Sequence, residues 1–215
     1  MSRMSILADR RARKRLATRH GISVVATRLF FEHGFDNVTV DEIAAAADVG
    51  RMTVFNYFRR KEDMFYDRDD EIRDILREAL RQRDPRVAPI ETFRLLAHRL
   101  IAARSPFLEF SAGSQAFVTT IEGSETLKAR ARAIRDEILQ VVAEALSESV
   151  DRERADSDAH LAACLLLATW TAALIRAHRT FGETRDANEA QFAFLTTVDQ
   201  GTIGVKAAMA GTPYA

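Results

Sequence analysis

The sequence predicts an all-α protein, and three observations carry that prediction. In each long segment the apolar residues recur every three to four positions, the spacing of one helix face. Nine glycines and four prolines in 215 residues are few for a turn-rich β fold. No stretch alternates apolar and polar residues as a half-buried strand does, and no repeat or low-complexity tract interrupts the pattern.

Residues 1 to about 10 read as a mobile arm. The cluster Arg10-Arg11-x-Arg13-Lys14-Arg15 is either a solvated charge run or an arm that touches phosphates or a groove. A first helix carries Ile22, Val25, Ala26, Leu29 and Phe30 at i, i+3, i+4, i+7 and i+8, one buried stripe. Gly34 stands where a left-handed cap is expected, and Phe35 is placed to tuck beneath a three-helix unit.

The stretch Thr39 to Lys61, TVDEIAAAADVGRMTVFNYFRRK, reads as two short helices with a tight joint. Thr39 and Glu42 form a T-x-x-E capping box. Ile43, Ala44 and Ala47 give the first helix a small apolar face, and Asp48-Val49-Gly50 breaks it. Arg51 to Phe58 forms the second, with Val54 and Phe58 on one side and Arg51, Phe55 and Asn56 on others. Such a pair is either a plain helical corner or a helix-turn-helix, whose second helix enters a DNA major groove.

A helix is then expected from Lys61 to about Gln82, with Glu62 and Asp63 in its first turn, ending before Asp84-Pro85 and Pro89. Ile90 to Ala103 comes next, and Ser105-Pro106 interrupts. Further helices are expected over Gln115 to Ile121 and Ser124 to Val150. One capped by Asp156 or Ser157 runs to about Phe181, where Gly182 stops it, and a last one spans about Ala187 to Ala210.

From Ile22 through Met64 the chain carries an ordered series of short matches to one family. They are the apolar stripe, His33-Gly34-Phe35, Thr39-Val40, Ile43-Ala44, Val49, Thr53-Val54-Phe55-x-Tyr57-Phe58 and Lys61-Glu62-Asp63-Met64. The stretch from about residue 13 to 65 resembles the N-terminal domain of TetR/AcrR-family bacterial transcriptional regulators. That resemblance implies a three-helix helix-turn-helix domain followed by a helical-bundle ligand-binding and dimerisation domain. The corresponding division is residues 1–60, a connecting helix over 61–84 that acts as a lever, and residues 85–215.

Carried onto this sequence, the resemblance implies a DNA-contacting set of Thr39, Gly50, Arg51, Met52, Thr53, Phe55, Asn56, Tyr57 and Lys61. Arg51 suits guanine, whose O6 and N7 accept two bonds from a guanidinium. Asn56 suits adenine or a phosphate, and the Thr53 and Tyr57 hydroxyls suit phosphate oxygens. Lys61, at the start of the next helix, suits a phosphate. Thr39 is either a contact or only a cap, and Tyr57 is either a contact or partly core. The sequence departs from the family pattern at Asp48, Gly50 and Met52, which leaves the operator sequence unread.

Charge distribution agrees with this division. Through Lys61 there are twelve basic and six acidic residues, a net of +6, which leaves −6 for the remainder of a chain with net charge zero. Cys164 is the only cysteine, so no internal disulfide forms, and a reducing cytoplasm is expected. The N-terminus lacks the apolar core of a signal peptide. The apolar run Leu161 to Ile175 is shorter than the ~20 residues of a membrane span, so no membrane partner is expected. His20, His33, His98, His160 and His178 show no metal-ligand spacing, and no nucleophile elbow, phosphate loop or paired-carboxylate pattern points to an enzyme or a cofactor.

The resemblance also implies a homodimer on a double-stranded operator and a small-molecule effector. Candidate pocket residues are Phe93, His98, Phe107, Phe110, Phe117, Cys164, Thr169 and Trp170, with core packing as the plainer role for most of them. Without a basic cluster there, an apolar or aromatic effector fits better than a sugar phosphate. The dimer surface falls on the last two helices, through Leu161, Leu165, Ala168, Ala172 and Ile175 with Phe192, Leu195, Val198, Thr202 and Val205. Gly201 and Gly204 would let it close, unless these faces pack within one chain. The leading reading is a homodimeric repressor released by its ligand. The alternative is a helical small-molecule-binding module of the same architecture without operator binding.

Overall fold

The computed structural model describes residues 3–215, with side chains from Arg13 onward. Among these residues there are ten α-helices and no strand. They are α1 (Arg3–His33), α2 (Val40–Ala46), α3 (Arg51–Tyr57), α4 (Glu62–Phe65), α5 (Asp69–Arg81), α6 (Pro89–Ala102), α7 (Ala112–Glu122), α8 (Glu125–Glu148), α9 (Ser157–Thr184) and α10 (Ala187–Ala208). Single 3-10 turns lie at Phe35–Asn37 and Pro106–Leu108. From Arg3 the backbone expected as an arm is already the start of α1; the side chains of Arg10 and Arg11 lie outside the described residues.

The chain forms two compact units. The first comprises residues 1–69 together with Ala116–Ala131, the end of α7 and the start of α8. Ile22, Ala26 and Phe30 of α1 meet Phe35, Ile43, Val54, Phe58 and Met64 in one core, as the stripe predicts. Gly34, at φ 81, lets the chain turn so that Phe35 enters that core. The later segment closes it. Leu127 is fully buried, Phe117 stacks on Phe65 at 4.3 Å, and Arg130 reaches Asp63 and Asp69.

The single helix expected from Lys61 to Gln82 is two helices. It breaks at Tyr66-Asp67-Arg68, where Tyr66 and Asp67 each hold a partner on another helix. The Tyr66 hydroxyl donates to the Leu127 carbonyl at 3.0 Å, and burial pushes its pKa up. Asp67 receives the Arg19 guanidinium. The boundary between the units falls at Asp69/Asp70, within the span expected for the connecting helix.

The second unit comprises Asp70–Gln115 and Arg132–Ala215. Its centre is the antiparallel pair α9 and α10. Asp156 caps α9 through the amides of Asp158 and Ala159, and Asp186 caps α10. Gly182 does not stop α9. The helix runs on to Thr184 and ends at Arg185, whose φ of 57 is left-handed. The helices approach most closely at Gly201, where an added Cβ would lie 2.3 Å from Thr169 Cγ2.

With its 28 residues, α9 is long and apolar enough by composition to cross a bilayer, beyond what the Leu161–Ile175 run suggests. It is instead packed through Ala162, Ala163, Leu166, Ala173, Ala177 and Phe181. Arg176 and Arg179 lie on its exposed side. Near the end of the chain Tyr214 is fully buried, and its carbonyl accepts from the Ile90 amide at 3.1 Å.

Candidate nucleic-acid interface

Local chemistry builds the joint between α2 and α3. The Thr39 hydroxyl accepts from the Glu42 amide, and the Glu42 carboxylate accepts from the Thr39 amide at 2.7 Å, so the expected capping box is complete. Those bonds hold the Glu42 carboxyl below its ordinary value. The Thr39 hydroxyl proton goes to Glu42 as well, which makes Thr39 a cap in this structure. Asp48 is the left-handed residue of the turn, at φ 52, while Gly50 has ordinary extended geometry. Aspartate's tolerance of the left-handed region is what lets Asp48 make this turn. Gly50 offers α3 no side-chain cap, as its departure from Ser or Thr implies.

Only Val54 of α3 is fully buried, with Phe58 just beyond it. Arg51, Met52, Phe55 and Asn56 are exposed on one face, Met52 to 72% and Phe55 to 40%. Thr53 and Tyr57 sit half-buried at its margins. A seven-residue helix with an outward face of arginine, amide and two apolar side chains has the groups that read base edges and thymine methyls. Arg59, exposed at its end, is a cation that spacing alone does not single out. Nor does spacing reveal Arg19. Its guanidinium lies 4.7 Å from the Phe58 ring centroid and bonds Asp67, which fixes the end of α3 against α1.

Lys61 departs from its expected role. Its ammonium donates to the carbonyls of Phe35 at 2.7 Å and Val38 at 2.8 Å and lies 4.2 Å from the Phe35 ring centroid. Burial lowers its pKa against the pull of Asp36, Glu62 and Glu42. The side chain ties the turn after α1 to the start of α4 and is part of the packing.

Residues 22–66 match the family described as bacterial regulatory proteins, tetR family. That stretch is similar to the TetR-family N-terminal domain. The putative mycofactocin biosynthesis transcriptional regulator MftR of Mycobacterium tuberculosis is 50% identical over 53 residues, 25% of this chain and 27% of that protein. The uncharacterized HTH-type transcriptional regulator YhgD of Bacillus subtilis is 32% identical over 85 residues, 40% of this chain and 41% of that one. The matches thus span between a quarter and two-fifths of these relatives' lengths. At the level of fold, the structure titled SmeT-Triclosan complex covers 87% of this chain and 91% of its own, with TM-score 0.58 and 19% identity.

Beyond that stretch, the expected pocket residues fall in different packing clusters. Phe93 lies in one core of the second unit and Phe110 in another, with Trp170 packed against both. Phe117 belongs to the first unit, stacked on Phe65. Thr169 lies beneath Gly201, Cys164 is half-buried on α9, and Phe107 sits half-buried in its 3-10 turn beside the buried Leu108. His98 is held at 2.8 Å by Asp199, which also takes Arg94. Of the eight, only His98 borders the open groove of about 550 Å³ between the end of α5 and α6, beside Ala79, Arg83, Val87, Leu95 and Arg99.

The expected dimer residues divide as well. Val198, Thr202 and Val205 are buried against this chain's own helices, so they face inward. Leu165 and Leu195 are half-buried. Leu161, Ala168, Ala172 and Ile175 are exposed along α9, and Phe192 is exposed to 74% on α10. Ile203, outside the expected set, is 71% exposed on α10. Gly201 serves the α9–α10 contact within the chain, and Gly204 has open space around it.

Proposed function

We propose that this chain is a sequence-specific DNA-binding transcriptional regulator of the cytoplasm, working as a homodimeric repressor that a small apolar or aromatic molecule releases from its operator. The observation that carries the reading is the outward face of α3. Arg51, Met52, Phe55 and Asn56 project from a helix whose other side is anchored by Val54, Phe58 and the Arg19 clamp. That anchoring fixes a short helix in register for a major groove.

A two-fold pair would read two half-sites and gain the specificity one short helix lacks. The exposed apolar side chains of α9 and α10, above all Ile175, Phe192 and Ile203, supply a surface for it. The triclosan named with SmeT supports an aromatic effector class. Release is then a matter of linkage, since a ligand that favours a non-binding conformation must weaken the operator complex.

Fluorescence anisotropy with duplexes flanking the chain's own coding region tests the reading. Selective, salt-dependent binding is expected, diminished by Arg51→Ala and Asn56→Ala. No binding to any duplex at low ionic strength would sink it. One observation favours a second reading, a ligand-binding module without operator binding: the Lys61 ammonium is already used inside the domain. That reading expects ligand-induced thermal stabilisation with no DNA affinity.

A further inference from the structure

Asp41 is the second residue of α2, and the capping box makes no use of it, because Thr39 and Glu42 complete that box between themselves. Its carboxylate is exposed and accepts from Arg51 Nη1 at 2.9 Å, across the turn of the helix-turn-helix. The same guanidinium lies 5.5 Å from the ring centroid of Phe55, one turn further along α3. Arg51 is therefore held at one edge by a carboxylate and on one face by an aromatic ring.

We propose that Asp41 is a specificity-determining residue that positions Arg51 for guanine; this rests on the DNA-binding reading given above. A guanidinium has five N–H groups in a rigid fork, so one bond to Asp41 leaves a pair free for guanine O6 and N7. An unsupported arginine on an exposed helix has many rotamers and also bonds any phosphate within reach. Holding the fork in place removes that freedom before binding. A carboxylate at the interface also repels the phosphate backbone, which weakens binding to every sequence alike. The first effect widens the gap between the right base pair and the wrong ones, while the second lowers affinity for specific and non-specific duplex alike.

The test is selection from a randomised duplex pool with the full chain, comparing wild type, Arg51→Ala and Asp41→Asn, with Asp41→Ser as a second replacement suited to a helix's first turn. Circular dichroism melts check that each variant folds. We expect Arg51→Ala and both Asp41 variants to lose preference at the same guanine, and the Asp41 variants to bind non-specific duplex more tightly. Discrimination at that base pair should fall about fivefold or more in Asp41→Asn, within what one bidentate contact supplies. Unchanged preference in folded Asp41 variants overturns the inference, as does an Arg51→Ala variant that keeps every base preference. A wild-type chain that selects no sequence fails the DNA-binding reading itself, a different outcome.

Discussion

Replacing Lys61 by methionine would leave the Val38 carbonyl without its donor and the Phe35 carbonyl with only the Val38 amide at 3.4 Å. A buried carbonyl left without a partner costs about 1–3 kcal/mol, so a lowered melting temperature is expected in thermal denaturation. The salt slope of DNA binding should stay that of the wild type, because no phosphate contact is removed. Glu42 carries a pH dependence. Its folded pKa lies below its ordinary 4.5, so the box's contribution is present above that value and is lost as pH falls through the lowered folded pKa. Glu42→Gln should flatten the acid limb of melting temperature against pH. The two residues also mark what the sequence reveals. Thr39 and Glu42 are three positions apart and announce their partnership, whereas the carbonyls that hold Lys61 lie 26 and 23 positions away.

Among the elements, existence and type are readable, as are the breaks that Asp, Gly and Pro announce, but the break between α4 and α5 is not. The stripe of α1, the caps at Thr39 and Asp156 and the exposed face of α3 are consequences of local spacing. The break between α4 and α5 depends on Leu127 and Arg19, which no local pattern signals. Which side chains share a cavity is hard to read for a related reason. Aromatic side chains on separate helices cannot be assigned to one cavity until the faces of those helices are known. Gly201 illustrates the same limit, since close approach was foreseen but credited to the wrong pair of helices. Gly201→Ala should cost about 1–3 kcal/mol by crowding Thr169, read from urea denaturation. In a Thr169→Ala background most of that cost should disappear, because the two side chains share one space.

For the molecule as a whole, the charge asymmetry and the exposed apolar side chains of α9 and α10 bear on assembly. Ile175→Asp combined with Phe192→Asp places charge where the proposed symmetry mate would pack. Sedimentation velocity should then show a monomer, with operator affinity reduced and the melting temperature nearly unchanged, since both side chains are exposed. A wild-type monomer that binds its operator at full affinity would remove the two-fold arrangement from the proposal.

The segment Ala116–Ala131 has a practical corollary. It supplies Phe117 and the fully buried Leu127 to the first unit, although some fifty positions separate it from Asp69. A polypeptide cut after Asp69 would expose Phe65 and strip Tyr66 of its acceptor. Such a truncation should be recovered as aggregate or as a loosely folded species with poorly dispersed amide resonances. Anyone seeking the smallest piece of this chain that still grips duplex must therefore keep α7 and α8, and cannot simply trim at the obvious seam.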